Sequence, residues 1–113
     1  MAECIFCKIV AKEIPAQIVY EDKDVLAFKD INPMAPVHLL IIPKKHYQDL
    51  NTAVPADESL LGHIITVAQK MAVEQGIAES GYRVVVNNGV DAGQIVDHLH
   101  FHVLGGHILP DFA

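Results

Sequence analysis

The stretch "VHLLIIP", residues 37–43, is apolar at every position but one, whereas "DHLHFHVLGG", residues 97–106, alternates polar and apolar side chains. A continuous β-prone run reads as a strand buried on both faces, and strict alternation as a strand with two unlike faces. Earlier, "IVYED" and "VLAFKDI" flank Asp22, Lys23 and Asp24 and predict two strands of a hairpin. "ECIFCKIVAKEIPAQ" predicts a short helix or turn ended by Pro15, because proline disfavours helical geometry in the residue before it. "DESLLGHIITVAQKMAVEQG" places Leu60, Leu61, Ile64, Val67, Ala68, Met71 and Ala72 at helical spacing and stops at Gly76, which predicts one long amphipathic helix. "KKHYQDLNTAVPADE" reads as a helical turn and a loop, "YRVVVNNG" as a strand ending in a turn, and "VDAGQ" as a loop. The order predicts an α+β domain with a mainly antiparallel sheet, one helix face packed on it.

Composition narrows this picture. At 113 residues, with 51% hydrophobic and 19% charged positions, the chain predicts a single domain, 1–113, with its own core. A formal net charge of −6 argues against DNA or RNA as partner, since backbone binding requires clustered Lys and Arg. No apolar run approaches the roughly 20 residues needed to span a bilayer, and Glu3 stands where a signal peptide carries positive charge, so we expect a cytoplasmic protein with no membrane partner. Cys4 and Cys7 form C-x-x-C, a spacing that lets two thiolates grip one tetrahedral ion if two more ligands converge.

Along a strand, His98, His100 and His102 share one face at intervals of roughly 6.5 to 7 Å, and Leu99, Phe101 and Val103 face the core. Three imidazoles in register have two chemical uses beyond a polar surface. They can bind zinc with a ligand from elsewhere, or one neutral ring can act as nucleophile at phosphorus beside hydrogen-bond donors.

The run His98-Leu99-His100-Phe101-His102-Val103-Leu104 is similar to the alternating signature of the histidine triad family. "DAGQIVDHLHFHVLGG", "VHLLIIPKKHY" and "CIFCKIVAKEIPAQIVYEDKDVLAFKDINP" resemble that family's three blocks in order, nearest to its Hint-type nucleoside phosphoramidase branch. The resemblance implies a sheet of about five strands with one long and one or two short helices, continued across a homodimer. It also implies a purine nucleoside monophosphate, or its phosphoramidate, as ligand, and cleavage of the bond from phosphorus to an amine or acyl group. His100 matches the family's nucleophile, His102 a donor to phosphate or leaving group, and His38 a histidine beside the triad that fixes a ring's tautomer. Asp30 and Ile31 match contacts to ribose and base; Asn87, Gly93 and Gln94 match contacts to phosphate, with side-chain amides as donors. Phe6, Leu26 and Phe28 are candidates to line the base pocket or to fill the core.

Where most of the branch has a serine after Gly-Gln, this chain has Ile95, whose backbone N–H alone remains for the phosphate. The resemblance to bacterial members with C-x-x-C implies a structural zinc on Cys4, Cys7, His46 and His98, with no cofactor required for catalysis. Three functions follow: a phosphoramidase acting through His100, a nucleotide-binding protein with little turnover, and a metal module in which the triad itself binds zinc.

Overall fold

A computed structural model describes residues 4–112. Seven main elements follow one another: α1 (Ile5–Val10), β1 (Ile18–Glu21), β2 (Val25–Lys29), β3 (Val37–Pro43), α2 (Glu58–Glu74), β4 (Tyr82–Val86) and β5 (Phe101–Gly105). The strands form one antiparallel sheet in the order β1-β2-β3-β5-β4. Single 3₁₀ turns at Leu50–Thr52, Pro55–Asp57 and Val90–Ala92 fill the connections read as loops.

The sheet is covered differently on its two sides, because alternation along each strand sends neighbouring residues to opposite faces. Val25, Ala27, Leu39, Ile41, Leu99, Phe101 and Val103 pack with Ile64, Val67, Ala68, Met71 and Ala72 of α2. Leu26, Phe28, Leu40 and Ile42 pack with Phe6 and Ile9 of α1. Phe6, Leu26 and Phe28 are thus part of this core layer. β3 contributes to both layers, which is why its run is apolar throughout.

Both helices end in the same hydrogen-bond pattern. After α2, Gly76 (φ +75°) donates to Val73 O and Ile77 to Ala72 O. After α1, Lys12 (φ +63°) donates to Ile9 O and Glu13 to Lys8 O. Pro15 therefore does not end α1; the left-handed turn at Lys12 does so three residues earlier, at a steric cost of roughly 1 kcal/mol for a residue with a Cβ. Cys4 begins the helix, its sulfur accepting from Cys7 N–H at 3.3 Å.

The β1–β2 turn is fastened by Asp22. One carboxylate oxygen accepts the N–H groups of Asp24 and Val25, both at 2.8 Å, and the other meets Tyr20 Oη at 2.8 Å and His63 Nε2 of α2 at 2.6 Å. Burial alone would raise this carboxyl's pKa, but those four hydrogen bonds hold it far below the ordinary range. His63, which the sequence left without a role, pins the hairpin to α2. At the far end of β5, a Cβ on Gly105 would lie 2.8 Å from Ile77 Cδ1 and 3.2 Å from Gly81 O, so a side chain there would push Ile77 aside and crowd the Gly81 carbonyl.

Candidate active site and metal centre

The expected strand over residues 98–104 is shorter in the structure: β5 begins at Phe101, and His98, Leu99 and His100 precede it. β3 ends on Pro43, which has no N–H to continue the ladder, and imidazole N–H groups take the carbonyls instead. His98 Nε2 lies 2.9 Å from Pro43 O, and His100 Nδ1 lies 2.7 Å from His98 O. The side chains still alternate, with Leu99, Phe101 and Val103 on the α2 face and the histidines on the α1 face. His98 and His100 are buried there, and Phe6 packs edge-on against both rings at centroid distances of 5.8 and 5.2 Å.

These contacts fix the tautomer of each ring, because a carbonyl can only accept and an amide N–H can only donate. His98 donates from Nε2 to Pro43 O, which leaves the lone pair on Nδ1, facing the cysteines. His100 donates from Nδ1 to His98 O, which leaves the lone pair on Nε2. Met34 N–H donates to His38 Nδ1 at 3.0 Å, so His38 carries its proton on Nε2 and donates it to His102 Nδ1 at 2.9 Å. His102 in turn presents Nε2–H as a donor. The result is a lone pair and an N–H on neighbouring rings whose centroids are 5.1 Å apart. Burial, with the adjacent His100 and His38 adding, lowers the His102 pKa to about 4, so the ring is neutral at pH 7. Burial likewise lowers His38, against the opposing pull of Asp30.

The remaining expected residues are distributed around this row. Asp30 Oδ2 is 3.4 Å from His38 Nε2, and its Oδ1 accepts from Asn32 N–H at 2.8 Å. Continuing the β4–β5 register one step past Val86↔Phe101 sets the half-buried Asn87 opposite His100. Gly93 adopts φ +85° at the end of the short turn that follows. Ile31 and Ile95 point outward, 90% and 91% exposed. Gln94 departs from the expectation of a free amide donor. Its Nε2 donates to Gln48 O and Val96 O at 2.9 and 3.0 Å, and its Oε1 accepts from Gly89 N–H at 2.8 Å. It braces the 89–96 loop with the groups that a phosphate would need. Sequence reasoning missed three parts of the site, Met34 N–H, Pro43 O and His98 O. Being backbone groups, they leave no mark in residue type.

Cys4, Cys7, His46 and His98 bring one ligand atom each to within 4.8 Å of one another. Cys4 Sγ is 3.4 Å from His98 Nδ1, and Cys7 Sγ is 3.3 Å from His46 Nδ1 and 3.6 Å from His98 Nδ1. Bond lengths of about 2.1 Å to nitrogen and 2.3 Å to sulfur give tetrahedral edges of about 3.4 to 3.8 Å; the three separations above lie within about 0.1 Å of that range, and two thiols with two imidazoles are a donor set suited to zinc. The hydrogen bond from His98 Nε2 to Pro43 O orients the ring for ligation in the manner of metal-bound histidines. With His98 turned to the cysteines and His100 Nδ1 engaged, the three triad rings do not converge on a common ion.

An antiparallel five-stranded sheet carrying alternating histidines at the start of its fourth strand in spatial order defines a histidine triad domain. A sequence model of the HIT domain family matches residues 11–109, and the chain belongs to that family. It is 55% identical over 107 residues to an uncharacterized HIT-like protein of Synechocystis, covering 94% of this chain and 93% of that protein. It is 50% identical over 104 residues to a protein of Escherichia coli named purine nucleoside phosphoramidase, covering 92% of this chain and 87% of that one. Among solved structures, a histidine triad protein from Clostridium difficile superposes with a TM-score of 0.96 at 48% identity, covering 100% of this chain and 98% of that chain.

Proposed function

We propose that the protein hydrolyses purine nucleoside 5′-phosphoramidates through a nucleotidyl-His100 intermediate. The observation that carries this reading is the hydrogen bond from His100 Nδ1 to His98 O, which leaves Nε2 as a neutral nucleophile in a fixed orientation. His100 Nε2 attacks the α-phosphorus, the phosphorus–nitrogen bond breaks, and the amine departs with a proton from solvent. Water then attacks the phosphorus, the bond to Nε2 breaks, and the nucleoside monophosphate leaves. His102 Nε2–H stabilises charge on the phosphoryl oxygens or leaving group, as a positioned donor. Asp30 accepts from ribose hydroxyls, Ile31 covers the base, and Asn87 with the backbone at Gly93 and Ile95 serves the phosphate; Gln94 holds that loop in shape. The similarity to the E. coli protein named purine nucleoside phosphoramidase supports the substrate class.

Cys4, Cys7, His46 and His98 hold a structural zinc in this reading, tying α1 to the segment that carries His100. Burial and the neighbouring Cys4 push the Cys7 thiol pKa up, so in this reading zinc binding displaces a thiol proton and is favoured as pH rises. The described residues include no helix long and apolar enough to cross a membrane. The edge strand β4, with Tyr82 and Val84 partly exposed, supports pairing with a second copy of the chain. One specific observation favours a nucleotide-binding protein with little turnover instead: the outward, wholly apolar side chain of Ile95. Wild type and His100→Ala incubated with adenosine 5′-phosphoramidate separate these readings. The enzyme reading predicts that both bind nucleotide and only wild type forms AMP; binding without turnover in either rejects it.

A further inference from the structure

We propose that His102 acts only as a neutral hydrogen-bond donor, and that the site therefore favours nucleotides whose leaving group departs without a proton, mixed anhydrides with a carboxylic acid ahead of phosphoramidates of alkylamines. This rests on the nucleotidyl-His100 reading above and ranks the leaving groups which that reading admits. Each ring proton of the row has a place. His98 Nε2–H is on Pro43 O, His100 Nδ1–H on His98 O and His38 Nε2–H on His102 Nδ1, which leaves His102 Nε2–H as the one proton of these four rings free for a substrate.

To give up that proton without becoming an anion, His102 would first have to carry a second one, on Nδ1. That nitrogen already accepts from His38 Nε2–H at 2.9 Å, so a proton there would set two N–H groups against each other. His38 does not give way by changing tautomer. Met34 N–H points at its Nδ1 from 3.0 Å, and Asp30 Oδ2, 3.4 Å from Nε2, favours a proton on Nε2. Burial acts in the same direction, lowering the His102 pKa to about 4. The remaining route, loss of Nε2–H from the neutral ring, would leave an imidazolate in a partly buried site. The consequence differs between leaving groups. When His100 Nε2 bonds to the α-phosphorus of an acyl nucleotide, the phosphorus–oxygen bond breaks and its electron pair departs on a carboxylate, which needs no proton. When the leaving group is an alkylamine, the phosphorus–nitrogen bond breaks and the nitrogen takes its proton from water. Amine substrates thus forgo the roughly 10²- to 10⁴-fold that a general acid contributes.

The test is first-turnover release of acetate from acetyl adenylate and of butylamine from adenosine 5′-(N-butyl)phosphoramidate, since later hydrolysis of adenylyl-His100 is common to both. Wild type should release acetate about 10²-fold faster or more. His102→Gln keeps an N–H donor that cannot ionise, and should slow both releases by the same factor within about threefold. A loss in His102→Gln that falls about tenfold or more harder on butylamine shows His102 delivering the proton and overturns the proposal, as does butylamine release as fast as acetate in wild type. ¹⁵N-histidine spectra of wild type with AMP give a second readout. His102 should stay protonated on Nε2 and bare on Nδ1 from about pH 5.5 to 8, and an imidazolium there overturns the proposal. Absence of both releases in wild type overturns the nucleotidyl-His100 reading and the ranking with it, and the spectra then judge the neutral lock on His102 alone.

Discussion

The two faces of the sheet are built from the same strands, yet one holds the fold and the other holds the chemistry. On the α2 face the contact is apolar throughout, with Ile64, Met71 and Ala72 fully buried against Leu39, Ile41 and Val103. On the α1 face a six-residue helix covers fewer apolar residues and shares the surface with four histidines. The short helix leaves room for polar rings, and each ring is kept in one tautomer by a backbone group or another imidazole. A residue-by-residue alternation from His98 to Val103 therefore separates stability from reactivity along one short stretch of chain. Variants should follow the same separation.

Outside the histidine row, the largest effect on rate should come from Ile95, in the exposed 89–96 loop. Ile95→Ser restores the hydroxyl that most of the branch places after Gly-Gln; with that loop at the phosphate, as proposed, kcat on an adenosine phosphoramidate should rise by up to about 10²-fold without a change in melting temperature. An unchanged rate would remove Ile95 from the account of activity. On the α2 face, Met71→Ala should cost about 2 to 5 kcal/mol in urea unfolding, with kcat per folded molecule retained. A drop in kcat there would mean the two faces are not independent.

Titration sharpens the contrast. His102 has a folded pKa of about 4, against about 6.5 unfolded, so the unfolded state takes up the proton first as pH falls. Its contribution, on the order of 2 to 3 kcal/mol, is present above pH 6.5 and lost between about pH 6.5 and 4. Asp22, whose folded pKa is depressed, adds stability that is lost only below its unfolded pKa of about 4. Urea titrations should thus show two acid steps, and because burial also lowers His38 and His98 in the upper window, His102→Gln should reduce that step without abolishing it and leave the lower one unchanged. The smallest change is at the end of α1: Lys12→Gly should stabilise by about 0.5 to 1 kcal/mol, since glycine accepts the left-handed turn and the exposed Lys12–Glu21 pair it loses contributes little.

Much of this layout is legible in the sequence because it is periodic. The apolar run at 37–43 marks a strand covered on both faces, the seven helical positions from Leu60 to Ala72 and the alternation at 98–104 each select one face, and the structure keeps these assignments. What the sequence does not display are the features made by backbone groups and by strain. Pro15 looks like the stop of α1, but Lys12 turns first. Gln94 looks like a donor to phosphate, but three backbone groups of its own loop and of Gln48 engage its amide. His98 looks like a strand residue, yet it precedes the strand, because Pro43 cannot extend the ladder and the imidazole takes its carbonyl. The tautomers depend on Met34 N–H, Pro43 O and His98 O, which any residue type could have supplied.

The central claim is that His100, alone among the three triad histidines, keeps a lone pair that neither a cysteine nor another imidazole engages. Its most direct test is peptide mapping of protein quenched with acid-labile bonds preserved during turnover of adenosine 5′-phosphoramidate. An adenylyl group on His100, absent from His100→Ala, is the predicted result; an adduct on His98 or His102, or turnover retained in His100→Ala, would contradict it.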